Sequence, residues 1–113
     1  MIYIASPYTS VLPNKNGINV MQRRYEVVME FVANNLEMPF FSPILYCHEM
    51  AKKYELPKTF GYWQKLNHHY IDISTEVWVL KMNGWEESKG VSDEIQYATE
   101  IGKNVIYVKM EDL

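Results

Sequence analysis

The sequence predicts an α/β domain: a small parallel sheet of four to five strands flanked by helices, a three-layer arrangement of the flavodoxin/Rossmann kind. Three observations predict it. The chain has 113 residues, of which 48% are hydrophobic, enough for one core and too few for two at roughly 100–200 residues per domain. Four short apolar runs show no alternation of apolar and polar residues, as strands buried on both faces do. Between them, apolar residues recur every three or four positions, the stripe of an amphipathic helix. This succession implies parallel strands joined by right-handed crossovers.

Ile2-Tyr3-Ile4-Ala5 is rich in β-formers and is stopped by Ser6-Pro7, so it reads as a buried first strand. Residues 9–17 are polar, the composition of a surface connection that can lie over a site. Ile18, Met21, Tyr25, Val28, Val32 and Leu36 then form a helical stripe, with Arg23, Glu26, Glu30 and Asn34 elsewhere on the circumference. Phe40-Phe41, between Pro39 and Pro43, is a second strand kept short because proline cannot donate to a ladder. Tyr46 to Glu55 and Phe60 to Ser74 read as helices separated by Leu56-Pro57-Lys58-Thr59, with Thr59 in the capping position. Val77 to Leu80 is the third strand, followed by a loop from Asn83 to Gly90 that holds two glycines. Val91, Ile95, Ala98 and Ile101 form the last helical stripe, closed by Gly102 as a left-handed stop, and Val105 to Val108 is the final strand.

Fourteen acidic against eleven basic side chains give a net charge of −3. That balance lacks the electrostatic footprint that neutralises polymer phosphates, so no nucleic acid polymer is expected as a partner, whereas a single nucleotide needs only one or two donors. No stretch approaches the roughly 18 apolar residues that span a bilayer, so no membrane partner is expected either. The opening residues lack the basic and apolar regions of a signal peptide, and the one cysteine, Cys47, has no internal disulfide partner. The expected compartment is the cytoplasm, with Cys47 a packing thiol.

In a doubly wound sheet, ligands bind beyond the carboxyl ends of the strands, which directs attention to Ser6–Asn16, Ser42–His48 and Met82–Gly90. The first offers Ser6 and Tyr8 and carries neither the dinucleotide fingerprint nor the Walker pattern. The second offers Ser42 and His48. The third offers Ser88 and Gly90, with Glu94 one turn into the helix that follows. Ser88 and the free N–H groups of that helix start suit a phosphate or carboxylate, although the same residues also read as an ordinary cap and a solvated first-turn glutamate. His68 and Asp72 share a helix face, but nothing else stands at a metal spacing, so no metal is expected. Nine tyrosines, three tryptophans and four phenylalanines exceed what a small core needs and suit a pocket or an oligomer interface.

Taken in order, Ile2-Tyr3-Ile4-Ala5-Ser6-Pro7-Tyr8, Arg24-Tyr25-Glu26, Phe41-Ser42-Pro43-Ile44 with His48, Leu56-Pro57 with Trp63, and Gly84-Trp85-Glu86-Glu87-Ser88-Lys89-Gly90-Val91-Ser92-Asp93-Glu94-Ile95 resemble the nucleoside 2-deoxyribosyltransferase-like superfamily. The chain looks most like a small branch without assigned function, and is similar to nucleoside 5′-monophosphate N-glycosidases. The resemblance covers nearly the whole chain. It implies that Glu94 attacks the anomeric carbon, that Tyr8 is the aromatic hydroxyl beside it, and that Ser88 and Gly90 hold a 5′-phosphate. Arg24, or Arg23 in the neighbouring register, is implied to orient phosphate or carboxylate groups, and His48 matches a polar position of that branch. Ser6 and Trp85 are candidate substrate contacts from the matching segments.

Two positions depart from the family pattern. Asn67 stands where an aspartate follows the tryptophan of its helix, and Thr75 where an aspartate precedes the third strand. An amide can bond a base or sugar hydroxyl but cannot move a proton at neutral pH; Asp72 is the substitute if the helix register differs. Attack by Glu94 on C1′ makes a covalent glycosyl-enzyme that water or a second base resolves with retention. Asp72, His48 or solvent are the candidate proton donors to the leaving base, and Asp93 is not, because adjacent helix residues diverge by about 100°. No cofactor is needed, and a neighbouring subunit is expected to complete the site in a homodimer or higher homo-oligomer. The expectation is N-glycosidic cleavage or transfer on a nucleoside 5′-monophosphate, by a hydrolase or transferase. A non-catalytic nucleotide-binding module is the alternative, favoured by Asn67 and Thr75, and a purely structural domain is a third reading.

Overall fold

The structure is a computed structural model that describes residues 1–9, 17–57 and 59–110. The far part of the first loop (10–16) and Lys58 of the predicted linker lie outside the described residues, as does the side chain of Ile18. The chain runs β1 (Ile2–Ala5), α1 (Gly17–Ala33), β2 (Phe40–Phe41), α2 (Pro43–Tyr54), α3 (Phe60–Asp72), β3 (Glu76–Lys81), α4 (Lys89–Glu100) and β4 (Asn104–Lys109). The four strands form one sheet in the order β2-β1-β3-β4, and every neighbouring pair is parallel. This is the α/β three-layer architecture that the apolar runs and helical stripes predict.

Two packed clusters show the layers. Tyr3, Ala5, Val77 and Val79 point to one face and pack with Ile71, Val91 and Ala98 of α3 and α4. Ile4, Leu80 and Met82 point to the other and pack with Val28 and, at its rim, with Phe31 and Leu45. Both faces of the central strands are thus covered, and all four residues of β1 are buried. That is why the strands read as unbroken apolar runs rather than alternating ones. From β1 the chain moves outward to β2, then crosses back to β3 on the other side of β1. The order reverses at the carboxyl ends of β1 and β3, the place where such sheets open a crevice.

Element boundaries differ from the sequence expectation in instructive places. Helix α2 begins at Pro43 rather than Tyr46, because Ser42 caps it, its side chain accepting from the Leu45 N–H at 3.2 Å, and proline occupies the first turn. The predicted second loop is therefore mostly the start of a helix. Helix α1 stops at Ala33, short of Leu36, which is 75% exposed; the Asn35 side chain donates back to the Phe31 carbonyl at 2.7 Å. Thr59 stands at the cap of α3 without a side-chain capping bond. Gly102 follows α4 with φ +81, the left-handed stop its residue type suggests.

Candidate functional site

A cavity of about 400 Å³ opens among the loop after β1, helices α2 and α3, and the start of α4. Ser6, Tyr8, His48, Asn67, Ser88, Gly90 and Glu94 all line it. Seven of the ten residues singled out from the sequence are therefore brought together, although the sequence distributes them over more than eighty positions. Ile44, Cys47 and Ala51 of α2 and Phe60 and Trp63 of α3 supply an apolar wall.

Glu94 is 7% exposed. It sits two residues beyond the first turn of α4, on the stripe with Val91 and Ala98 that faces the sheet. The hydroxyl of Tyr3, from the middle of β1, donates to Glu94 Oε2. Burial pushes the Glu94 carboxyl up to about 8, the Tyr3 hydrogen bond opposes this, and the charge of Asp93 adds to it. The Tyr3 phenol is itself raised well above its ordinary value, by burial first and then by Glu94. At neutral pH the pair is therefore mostly a neutral carboxyl bonded to a neutral phenol.

This corrects the role expected of Tyr8. Its hydroxyl lies 2.5 Å from His48 Nδ1, not on Glu94. Burial pushes the Tyr8 phenol up to about 12. His48, 5% exposed, has its other ring nitrogen 2.9 Å from Gln22 Oε1 and stacks on the Tyr25 ring at 4.3 Å between centroids. The position next to the carboxylate belongs to Tyr3, which reads in the sequence as one more β-former of a buried strand. No local signal separates it from Ile2 or Ile4.

Ser88 is both a cap and a cavity residue: it is 5% exposed and its side chain accepts from the Val91 N–H at 3.2 Å. A Cβ added at Gly90 would meet only Ser88 Oγ at 3.9 Å, so the protein's own packing does not require glycine there. The buried hydroxyl of Ser6 has no hydrogen-bond partner among the described residues, an unmet group in the cavity wall that a ligand can satisfy.

Three expected site residues do other work. Arg24 is 1% exposed and donates to the Tyr8 carbonyl at 3.0 Å and the Asn83 carbonyl at 3.1 Å. It ties the loop after β1 to the loop after β3 and does not line the cavity, and burial lowers its pKa from the ordinary value. Asp72 is exposed at the end of α3, where its carboxylate accepts from the Tyr97 hydroxyl at 2.5 Å and its carbonyl from Lys103 Nζ at 3.1 Å. It cannot replace the aspartate missing at Asn67. Trp85 packs against the α3–α4 cluster and lies 5.8 Å from the Tyr107 ring.

Asp93, whose side chain diverges from that of Glu94 on the helix, also lines the cavity. Its two oxygens are engaged by α3: Gln64 Nε2 donates at 3.0 Å, and His68 Nε2 stands at 2.6 Å. His68 thus pairs with Asp93 rather than Asp72 and stacks on Tyr97 at 3.8 Å and 7°. Among the described residues, no three His, Cys, Asp or Glu side chains gather closely enough to hold a metal ion. No helix among them is long and apolar enough to cross a membrane.

No curated protein matches the chain. A family model described as a domain of unknown function, DUF1937, matches residues 1–110, and with nearly its whole length covered the chain belongs to that family.

Proposed function

We propose that the protein cleaves the N-glycosidic bond of a nucleoside 5′-monophosphate, with Glu94 as the nucleophile. The observation that carries this reading is the Tyr3–Glu94 pair: a carboxyl 7% exposed, facing a cavity, with a phenolic hydroxyl donating to one oxygen. A glutamate of no chemical consequence would turn to water at this helix start. The resemblance of the Ser88-Lys89-Gly90-Val91-Ser92-Asp93-Glu94 segment to nucleoside 5′-monophosphate N-glycosidases supports the same substrate. So does the start of α4, where Ser88 and Gly90 leave room for a phosphate beside the first turn.

In the reaction, a Glu94 oxygen bonds to C1′ as the C1′–N bond breaks, and the bonding pair leaves with the base, which takes a proton from solvent. Water then opens the glycosyl ester, or a second base does so in transfer, with net retention. Asp72 does not line the cavity and its carboxylate is engaged by the Tyr97 hydroxyl, and both His48 ring nitrogens are already engaged. The attacking form is the ionised one, so the rate should climb with pH through about 8, the value to which burial raises Glu94.

Release of free base from a panel of ribo- and deoxyribonucleoside 5′-monophosphates, followed by chromatography, tests the reading. Base should appear with wild-type protein and fall by ~10³ or more in Glu94→Gln, while the melting transition stays cooperative. No release from any nucleotide overturns it. The neutral Glu94 and the amide of Asn67 favour a second reading, a nucleotide-binding module of the same fold; there, nucleotides raise the melting temperature and are recovered intact.

The proposal includes a cytoplasmic protein that works as a homodimer or higher oligomer. Exposed Tyr46, Met50 and Tyr54, one turn apart along α2, support the assembly, which light scattering on the purified protein measures.

A further inference from the structure

From His48 of α2, in the cavity lining, a chain of hydrogen bonds runs outward to α1, and its direction is fixed from outside. Glu26, exposed on α1, can only accept, so the Gln22 group facing it at 3.1 Å is the amide nitrogen. The Gln22 oxygen then faces His48 Nε2 at 2.9 Å, and that nitrogen must carry the proton. The opposite amide orientation would set two acceptors against each other at Glu26. In the neutral ring, with the proton on Nε2, His48 Nδ1 carries none. The Tyr8 hydroxyl, 2.5 Å away, can only donate to it. Tyr25 stacks on the imidazole, and Arg24 holds the Tyr8 carbonyl at 3.0 Å, so ring and backbone are both fixed.

Tyr8 and His48 both line the cavity. With its one proton committed to His48, the Tyr8 oxygen has only lone pairs to offer a ligand. We infer that Tyr8 is a specificity residue that selects ligands presenting a hydrogen-bond donor, an amino or hydroxyl group, and rejects those presenting a carbonyl or no polar group at that place. Gln22 and Glu26 are positioning residues that act through His48. The inference rests on the nucleotide reading for the kind of ligand, but not for the direction of the bonds. A group built to accept is left unpaired by the wrong ligand, which is how buried polar sites discriminate.

Two measurements test it. Ring-nitrogen NMR of ¹⁵N-labelled protein near neutral pH should show His48 protonated on Nε2 and bare on Nδ1. A proton on Nδ1, alone or with Nε2, overturns the inference whether or not the protein cleaves nucleotides. Calorimetric Kd values on the non-cleaving Glu94→Gln protein should then be compared in pairs: adenosine with inosine 5′-monophosphate, cytidine with uridine 5′-monophosphate, and ribo- with 2′-deoxyribonucleotide. The member that carries the amino or 2′-hydroxyl group should bind about tenfold more tightly in at least one pair. Tyr8→Phe should level that ratio, and Glu26→Gln, remote from the cavity, should reduce it partway by freeing the Gln22 amide to turn. A ratio that survives Tyr8→Phe, or no preference in any pair, overturns the selection. Base release lost while the ratios stand sinks only the chemistry; base release kept while the ratios are flat sinks only the selection.

Discussion

Two tyrosine-centred pairs face the same cavity and are built in opposite ways. Tyr3–Glu94 is buried where β1 meets α4 at the cavity, and burial, with the charge of Asp93 adding to it, governs its protonation. Tyr8–His48 is part of a relay that reaches the exposed Glu26 by way of Gln22, and there the hydrogen-bond directions are set from the surface. The difference teaches how one small domain can separate two tasks. In the proposed reaction the carboxyl that changes its charge is a buried one, while the group that keeps one orientation is anchored to a partner that cannot donate.

The sharpest way to break the comparison is through pH. An unfolded Glu94 ionises in the ordinary range near pH 4.3, whereas the native carboxyl holds its proton to about 8. Below the first value both states are protonated and the group contributes no slope. Between the two, the unfolded chain has lost a proton that the native state keeps, so stability falls as pH rises, and it levels off above the second. Glu94→Gln lacks that slope. Its advantage over wild type should therefore grow across the window to the order of several kcal/mol by pH 9, read from urea unfolding at successive pH values. Parallel curves for the two proteins would show that Glu94 titrates as in water.

Arg24→Leu probes what holds the two loops beside each other. Two part-buried carbonyls lose their donor and the buried guanidinium is removed, and a loss of about 2–4 kcal/mol is expected in denaturant unfolding. If stability is unchanged, the arginine is not the strut that its bonds describe. Tyr3→Phe removes one hydroxyl and should cost only about 1 kcal/mol. Because that hydrogen bond holds the Glu94 pKa down, the midpoint of any pH–rate curve should move upward; an unmoved midpoint would mean that Tyr3 is packing alone.

The fold was legible because burial on both faces writes itself as uninterrupted apolar strands, and helix stripes sit between them at the right period. The site was legible where chemistry coincides with a loop, as at Ser6, Ser88 and Glu94. It was not legible where a side chain of the candidate site doubles as core. Tyr3 is fully buried in β1 and looks like its apolar neighbours. Arg24 failed in the other direction: a cation near a predicted site reads as a ligand for anions, yet it is spent on backbone carbonyls. The true start of α2 did have a signal, since serine followed by proline is a helix opening as well as a strand stop.

Strand β1 precedes the other three and is one of the two central ones. Its partners are Phe40 and Phe41 on one side and Glu76 to Val79 on the other, so the longer of its two ladders waits for a segment more than seventy residues away. Such parallel, long-range pairing makes for slow assembly, with apolar strand edges bared in the interval. During synthesis the core of this protein should stay open until β3 has left the ribosome, and Glu94, which follows β3, can be buried only after the sheet has closed around Tyr3.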